Sequence, residues 1–141
     1  MPVAGQCLCG AVKIAVEGNA LGGRTCWCRT CQKFGGGNGT TNAFFRDDAI
    51  ATEGELSWYE NIADSGNVTR RAFCSNCGSH VFTMGSGAPG FRGIRVSMFD
   101  DSNAFPPQAV IWTDSAPSWA ALDPALPHFP KAPPPPSQQD R

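Results

Sequence analysis

Arg71-Ala72-Phe73-Cys74-Ser75-Asn76-Cys77-Gly78-Ser79-His80-Val81-Phe82 is the stretch that decides how this chain is read. Two strand-like segments, Thr69–Phe73 and His80–Met84, flank a Cys-x-x-Cys pair closed by glycine. That pattern predicts a β-hairpin with a metal knuckle at its tip. A tight turn aims both sulfurs at one point, and Gly78 lets the backbone fold back just after the second cysteine. Two thiolates do not complete a tetrahedral zinc site, so the knuckle asks for partners elsewhere in the chain.

The seven cysteines fall as Cys7-x-Cys9, Cys26-x-Cys28-x-x-Cys31 and Cys74-x-x-Cys77. Placed on a strand, Cys7 and Cys9 share one face, because the side-chain period is two. Two bidentate pairs, Cys7 with Cys9 and Cys74 with Cys77, then make one closed four-sulfur structural zinc site. Such a site would tie the N-terminal strand to the middle of the chain and add several kcal/mol of folding free energy. Cys26, Cys28 and Cys31 remain as ligands of a second zinc, and three protein ligands with one open position is the arrangement of a catalytic zinc. His80 and His128 are the candidates for a fourth ligand that would close it. Spacing alone also permits the other partition, in which the middle cluster completes the cage.

Composition agrees with a small β protein. At 141 residues the chain fits one domain, with charged residues at 16%, sixteen glycines and twelve prolines, a balance that favours short strands and turns over long helices. A formal net charge of -1 supplies no global field for nucleic acid. No apolar run has the length of a membrane span. The N-terminus has neither the basic nor the apolar region of a signal peptide, so the expected address is the cytoplasm, where clustered cysteines are metal ligands more often than disulfides.

Alternation in Ala11–Glu17 reads as a half-buried strand, and further strands are expected up to Phe45 and over Leu56–Glu60, Gly93–Phe99 and Val110–Thr113. Gly22 to Lys33 leaves little room for a regular element and is read as a strand end and a turn. Gly35–Gly39 is a loop without the Gly-Lys-[Ser/Thr] ending of a phosphate-binding loop. Asp114 to Leu122 has room for one helical turn before Pro124, Pro127 and Pro130. The domain is expected over 1–130, with a proline-rich tail over 131–141 that is extended or disordered.

At these residues the sequence resembles the glutathione-dependent formaldehyde-activating (GFA) enzymes, also called the GFA/CENP-V family. The matching pieces are Cys7-Leu8-Cys9-Gly10-Ala11-Val12, Cys26-Trp27-Cys28-Arg29-Thr30-Cys31-Gln32-Lys33 and the knuckle from Arg71 to Phe82, with Asp100-Asp101 and Trp119 fitting further on. The resemblance implies a β-tent of small antiparallel sheets stapled by zinc, with two Zn2+ per chain partitioned as four plus three. It also implies a carbon–sulfur lyase that joins formaldehyde to glutathione to give S-hydroxymethylglutathione. Trp27 stands where the family commonly has histidine.

Three thiolates leave a divalent zinc site net negative, which asks for a cationic neighbourhood. Arg29 and Lys33 flank the cluster and are candidate contacts for the carboxylates of glutathione. Arg70 and Arg71 alternate to opposite faces of a strand, so at most one of them reaches a site. Trp27 lies inside the metal loop and is a candidate wall for the open site. The competing reading is a non-catalytic zinc module that binds a protein partner through its sheet surface. A redox or metal-buffering thiol protein is weaker, since the cage locks four of the seven cysteines. The sequence names neither the oligomeric state nor the second zinc's fourth ligand.

Overall fold

Short alternating segments dictate a mainly β chain built from small sheets, and the computed structural model has that form, with residues 2–63 and 66–133 described. The strands are β1 (Val3–Gln6), β2 (Lys13–Val16), β3 (Gly22–Cys26), β4 (Thr40–Arg46), β5 (Ile50–Glu53), β6 (Leu56–Ile62), β7 (Val68–Cys74), β8 (His80–Gly85), β9 (Phe91–Arg95) and β10 (Val110–Ile111). One helix, α1, covers Arg29–Phe34. The chain divides into two compact units, Met1–Gly23 with Asn42–Pro106, and Arg24–Thr41 with Pro107–Arg141.

In the first unit β2 pairs antiparallel with β1 and β5. A second antiparallel array runs β4, β9, β8, β7, β6. Alternation buries Ile14 and Val16 of β2, Ala43 and Phe45 of β4, and Ala72 and Cys74 of β7 in one core with Val81, Phe82, Ile94, Met98 and Phe99. Phe45, Phe99 and Phe105 close it as an aromatic triangle, with centroids 5.2 Å apart for Phe45–Phe105 and 4.8 Å for Phe99–Phe105, a spacing that adds to the area they bury.

The N-terminal strand expected to carry Cys7 and Cys9 is β1, which ends at Gln6 ahead of them, and the four residues of β5 carry too little alternation to register. Gly5 explains how β1 docks. A Cβ there would lie 2.0 Å from the Met98 carbonyl oxygen, so only glycine permits the Gly5–Phe99 bridge. The expected strand over Gly93–Phe99 stops at Arg95 and gives way to a 3-10 turn, Val96–Met98. The turn sends Met98 and Phe99 into the core.

The second unit is organised by parallel pairing of β3 with β10, Thr25 opposite Val110 and Cys26 opposite Ile111. The expected strand over Val110–Thr113 is cut to two residues, because Trp112 takes a left-handed backbone with φ 58° and a 3-10 turn follows over Thr113–Ser115. That turn is shorter than the helical turn expected between Asp114 and Leu122. The stretch read as a strand end and a turn also contains α1. The helix exists because Cys28 caps it, its sulfur accepting from the Cys31 N–H at 3.3 Å. Gly35 ends it by donating to the Cys31 carbonyl at 2.7 Å. From residue 134 onward the proline-rich tail lies outside the described residues. Among the described residues no helix is long and apolar enough to cross a membrane.

Candidate metal centres

The sulfurs sort into two groups, Cys7, Cys9, Cys74 and Cys77 in the first unit and Cys26, Cys28 and Cys31 in the second, with the ligand atoms of each group within 4.8 Å of one another. The partition left open by spacing is therefore four plus three, and none of the seven cysteines is in a disulfide. Neither His80 nor His128 joins a group among the described residues. His128 is exposed and its Nε2 lies 2.7 Å from the Asp123 carbonyl.

The four-sulfur group fits zinc closely. Tetrahedral zinc at ~2.3 Å from each sulfur requires sulfurs about 3.8 Å apart, and Cys7–Cys9 and Cys9–Cys74 measure 3.6 and 3.8 Å. The Cys7-x-Cys9 pair converges in a different way from that expected. It sits in a turn after β1 rather than on a strand, held by Gly10 N–H to Cys7 C=O at 3.1 Å and Cys7 N–H to Val12 C=O at 3.0 Å.

On the other side the β7–β8 hairpin carries the knuckle as read, with Gly78 at φ 79°. Its N–H donates to the Cys74 carbonyl at 2.9 Å. Backbone amides of Val12 (to Cys7) and of Asn76 and Cys77 (to Cys74) point at sulfur from 3.2 to 3.4 Å. Such donors stabilise thiolate over thiol. The Ser79 hydroxyl, 3.2 Å from the Cys77 sulfur, and then the Ser79 and Cys9 backbone hold the Cys77 pKa down to about 5. At Cys7 burial pushes upward, but the Val12 N–H and the neighbouring Cys9 and Cys74 outweigh it and the net shift is downward.

The three-sulfur group is built by the end of β3 and the start of α1. Cys26 is the last residue of β3, Cys28 is the helix cap and Cys31 lies one turn on, buried. Hydrogen bonding with Cys28 and Cys31, followed by burial, drives the Cys26 thiol pKa far upward. Three crowded sulfurs cannot all ionise unless a cation joins them, and that donor set suits zinc.

Gln32 holds this loop in shape and was missed as more than a neighbour in the motif. It is 3% exposed. Its Nε2 donates to the carbonyls of Trp27 at 2.7 Å and Ser115 at 2.9 Å, while its Oε1 accepts from Arg29. The carboxamide thereby pins the backbone between Cys26 and Cys28 to α1. No periodicity marks this role, since it depends on Ser115, far along the chain.

Arg24 is the second residue missed. It stands two before Cys26 on β3, and burial lowers its pKa while the nearby Cys26 and Cys31 charges raise it. It is a cation beside the trio, and the i, i+2 relation on a strand was the available signal. Arg29 and Lys33, the expected substrate contacts, are both exposed, and Arg29 is engaged with Gln32. Trp27 is buried at 4% exposure and meets the exposed Trp119 edge-on, centroids 6.4 Å apart. Arg70 and Arg71 separate as alternation requires. Arg70 is exposed, 3.6 Å from Glu60 and stacked on Trp58, whereas Arg71 is half-buried and donates to Asn61 Oδ1 at 2.8 Å.

Residues 2–115 match the family described as glutathione-dependent formaldehyde-activating enzyme. The chain belongs to this family. The match takes in all three cysteine clusters, Gln32 and Arg24. A crystal structure of a Rhodobacter sphaeroides protein, determined as a structural genomics target, is similar over 89% of this chain and 98% of its own, with TM-score 0.57 and 20% identity. That likeness supports the fold alone. No curated protein matches the sequence.

Proposed function

We propose that this protein is a zinc-dependent carbon–sulfur lyase of the S-hydroxymethylglutathione synthase type, acting on glutathione and formaldehyde in the cytoplasm. The observation that carries the reading is the grouping of Cys26, Cys28 and Cys31, three ligand atoms converging with no fourth among the described residues. Family membership supports the substrate pair.

In this reading Cys7, Cys9, Cys74 and Cys77 hold a structural zinc, and Cys26, Cys28 and Cys31 hold the second. A zinc bound by the trio would supply an open position that favours a substrate thiol as its thiolate. The chain's own residues do the rest. Arg24 offsets the negative charge of three thiolates. Gln32 fixes the backbone from which Cys26 and Cys28 project. Arg29 and Lys33 remain the exposed cations flanking the trio for substrate carboxylates. The reaction is an addition. The thiol's S–H bond breaks, an S–C bond forms to the aldehyde carbon, and the carbonyl oxygen takes up a proton to become hydroxyl, with no net oxidation or reduction.

The test is exchange NMR with 13C-formaldehyde and glutathione, comparing the zinc-reconstituted protein with its Cys28→Ala variant. Faster adduct formation than in buffer, lost in the variant, supports the reading. Equal rates in buffer, wild type and variant would remove it in favour of a non-catalytic zinc module.

A further inference from the structure

β6 pairs with β7 along its whole length, from Leu56 opposite Cys74 to Ile62 opposite Val68, and no register shift interrupts the ladder. The β7–β8 pairing differs, since its register shifts between Ala72 and Phe73 and leaves Val81 as an extra residue. On its other side β6 meets no strand among the described residues, so it is the edge of the array.

The turns at its two ends fix which backbone groups that edge offers. Ser75 donates to the Glu55 carbonyl at 3.3 Å, and Ala63 donates to the Asn67 carbonyl at 2.8 Å. Glu55 and Ala63 therefore bond towards β7, and with a period of two so do Ser57, Tyr59 and Asn61. The N–H and C=O groups of Leu56, Trp58, Glu60 and Ile62 point away from β7. An exposed edge of this kind is a template for another strand. Of the usual defences β6 has no proline, no bulge and a single charge, Glu60.

Its side chains are mostly apolar and exposed. Trp58, Tyr59 and Ile62 are 38%, 56% and 73% exposed, and Val68, across from Ile62, is 36% exposed. Leu56 packs against the core, and alternation puts Trp58, Glu60 and Ile62 on the same face of the strand. Arg70, opposite Glu60, lies 3.6 Å from its carboxylate and 4.6 Å from the centroid of the Trp58 ring.

We propose that β6 is a homodimer interface, two copies of this chain joining their β6 edges antiparallel about a two-fold axis at Tyr59. Charge and length select this occupant and register. With the axis at Tyr59 every outward residue finds another opposite it: Leu56 faces Ile62 of the second copy, and Trp58 faces its Glu60. Each Arg70, stacked on its own Trp58, then meets the carboxylate of the other copy as well as its own. Trp58 reaches the second copy's Ile62 on the diagonal. An axis at Glu60 would set the two carboxylates directly opposite, a destabilising like-charge pair. An axis at Trp58 would carry Ile62 past the end of the other β6. The interface is self-complementary, as a closed two-fold dimer requires, and it does not depend on the lyase reading.

The test is sedimentation equilibrium of the zinc-reconstituted full chain over a micromolar concentration series. Wild type is expected to approach twice the mass of one chain. Glu60→Arg brings the guanidinium groups of both copies together and should weaken dimerisation at least tenfold. Adding Arg70→Glu exchanges the signs, restores complementarity and should recover the dimer. Ile62→Pro removes an N–H that the β6–β7 ladder does not use, a position where an edge strand accepts proline, and should be monomeric. Circular dichroism and zinc content establish that each variant is folded.

A wild type that stays monomeric throughout the series would overturn the interface. So would a dimer that Glu60→Arg and Ile62→Pro leave unchanged. Assembly growing beyond two copies would overturn the closed pairing in favour of open edge association. Failure of the exchanged pair to recover what Glu60→Arg loses would overturn the register at Tyr59.

Discussion

Replacing Gln32 by leucine removes three hydrogen bonds, one from Arg29 and two to backbone carbonyls. The side chain is 3% exposed, and the carbonyls of Trp27 and Ser115 each lose a donor that now stands at 2.7 and 2.9 Å. A buried polar group left without its partner costs about 1–3 kcal/mol, so the two together predict a loss of about 2–6 kcal/mol. The perturbation also frees the backbone between Cys26 and Cys28. Removing a group that orients metal ligands typically weakens metal binding about 10–100-fold, and the second zinc should weaken by that factor while the four-cysteine site keeps its own. Urea denaturation of the zinc-reconstituted protein reads the first quantity. Competition with a chromophoric chelator, which releases the two zincs in separate phases, reads the second. Lys33→Gln, exposed and adjacent, is the control and should stay within about 0.5 kcal/mol of wild type. The reasoning fails if Gln32→Leu matches that control in stability and releases zinc with unchanged affinity.

Three further outcomes are expected. Cys74→Ala should unfold the chain, because the binding free energy of a structural zinc, about 10–16 kcal/mol in small zinc domains, is comparable to the whole stability of a domain. Cys28→Ala should remain folded by circular dichroism with about one zinc fewer by elemental analysis, and unfolding there would make the second centre structural. Gly5→Ala places a Cβ 2.0 Å from the Met98 carbonyl and must push β1 from its bridge with Phe99. Thermal melts should show a loss of at least about 1–3 kcal/mol, the usual cost of overpacking; an unchanged melting temperature would show that β1 docks by some other contact.

Much of the cage was legible because it is local. Cys-x-x-Cys with Gly78 after it specifies a knuckle through turn geometry alone, and the flanking alternation specifies the hairpin that carries it. The mainly β character and the burial of Ile14, Val16 and Phe45 follow from the same period of two. The bounds of β1 and the existence of β5, strands shorter than that period can reveal, were not legible, nor was α1, whose signal is a cysteine sulfur in place of the usual oxygen cap.

Non-local pairing decided the remainder. Spacing permitted two partitions of seven cysteines, and only the turn at Cys9 meeting the β7–β8 knuckle separates four from three. Gln32 reads as one more polar residue until Ser115 closes over its amide. His80 reads as a residue after a knuckle until one extra residue in β8, invisible to any count along the chain, turns it towards Arg71. A side chain's identity and spacing are written locally, but which face it occupies depends on register, and register belongs to the partner strand as much as to its own.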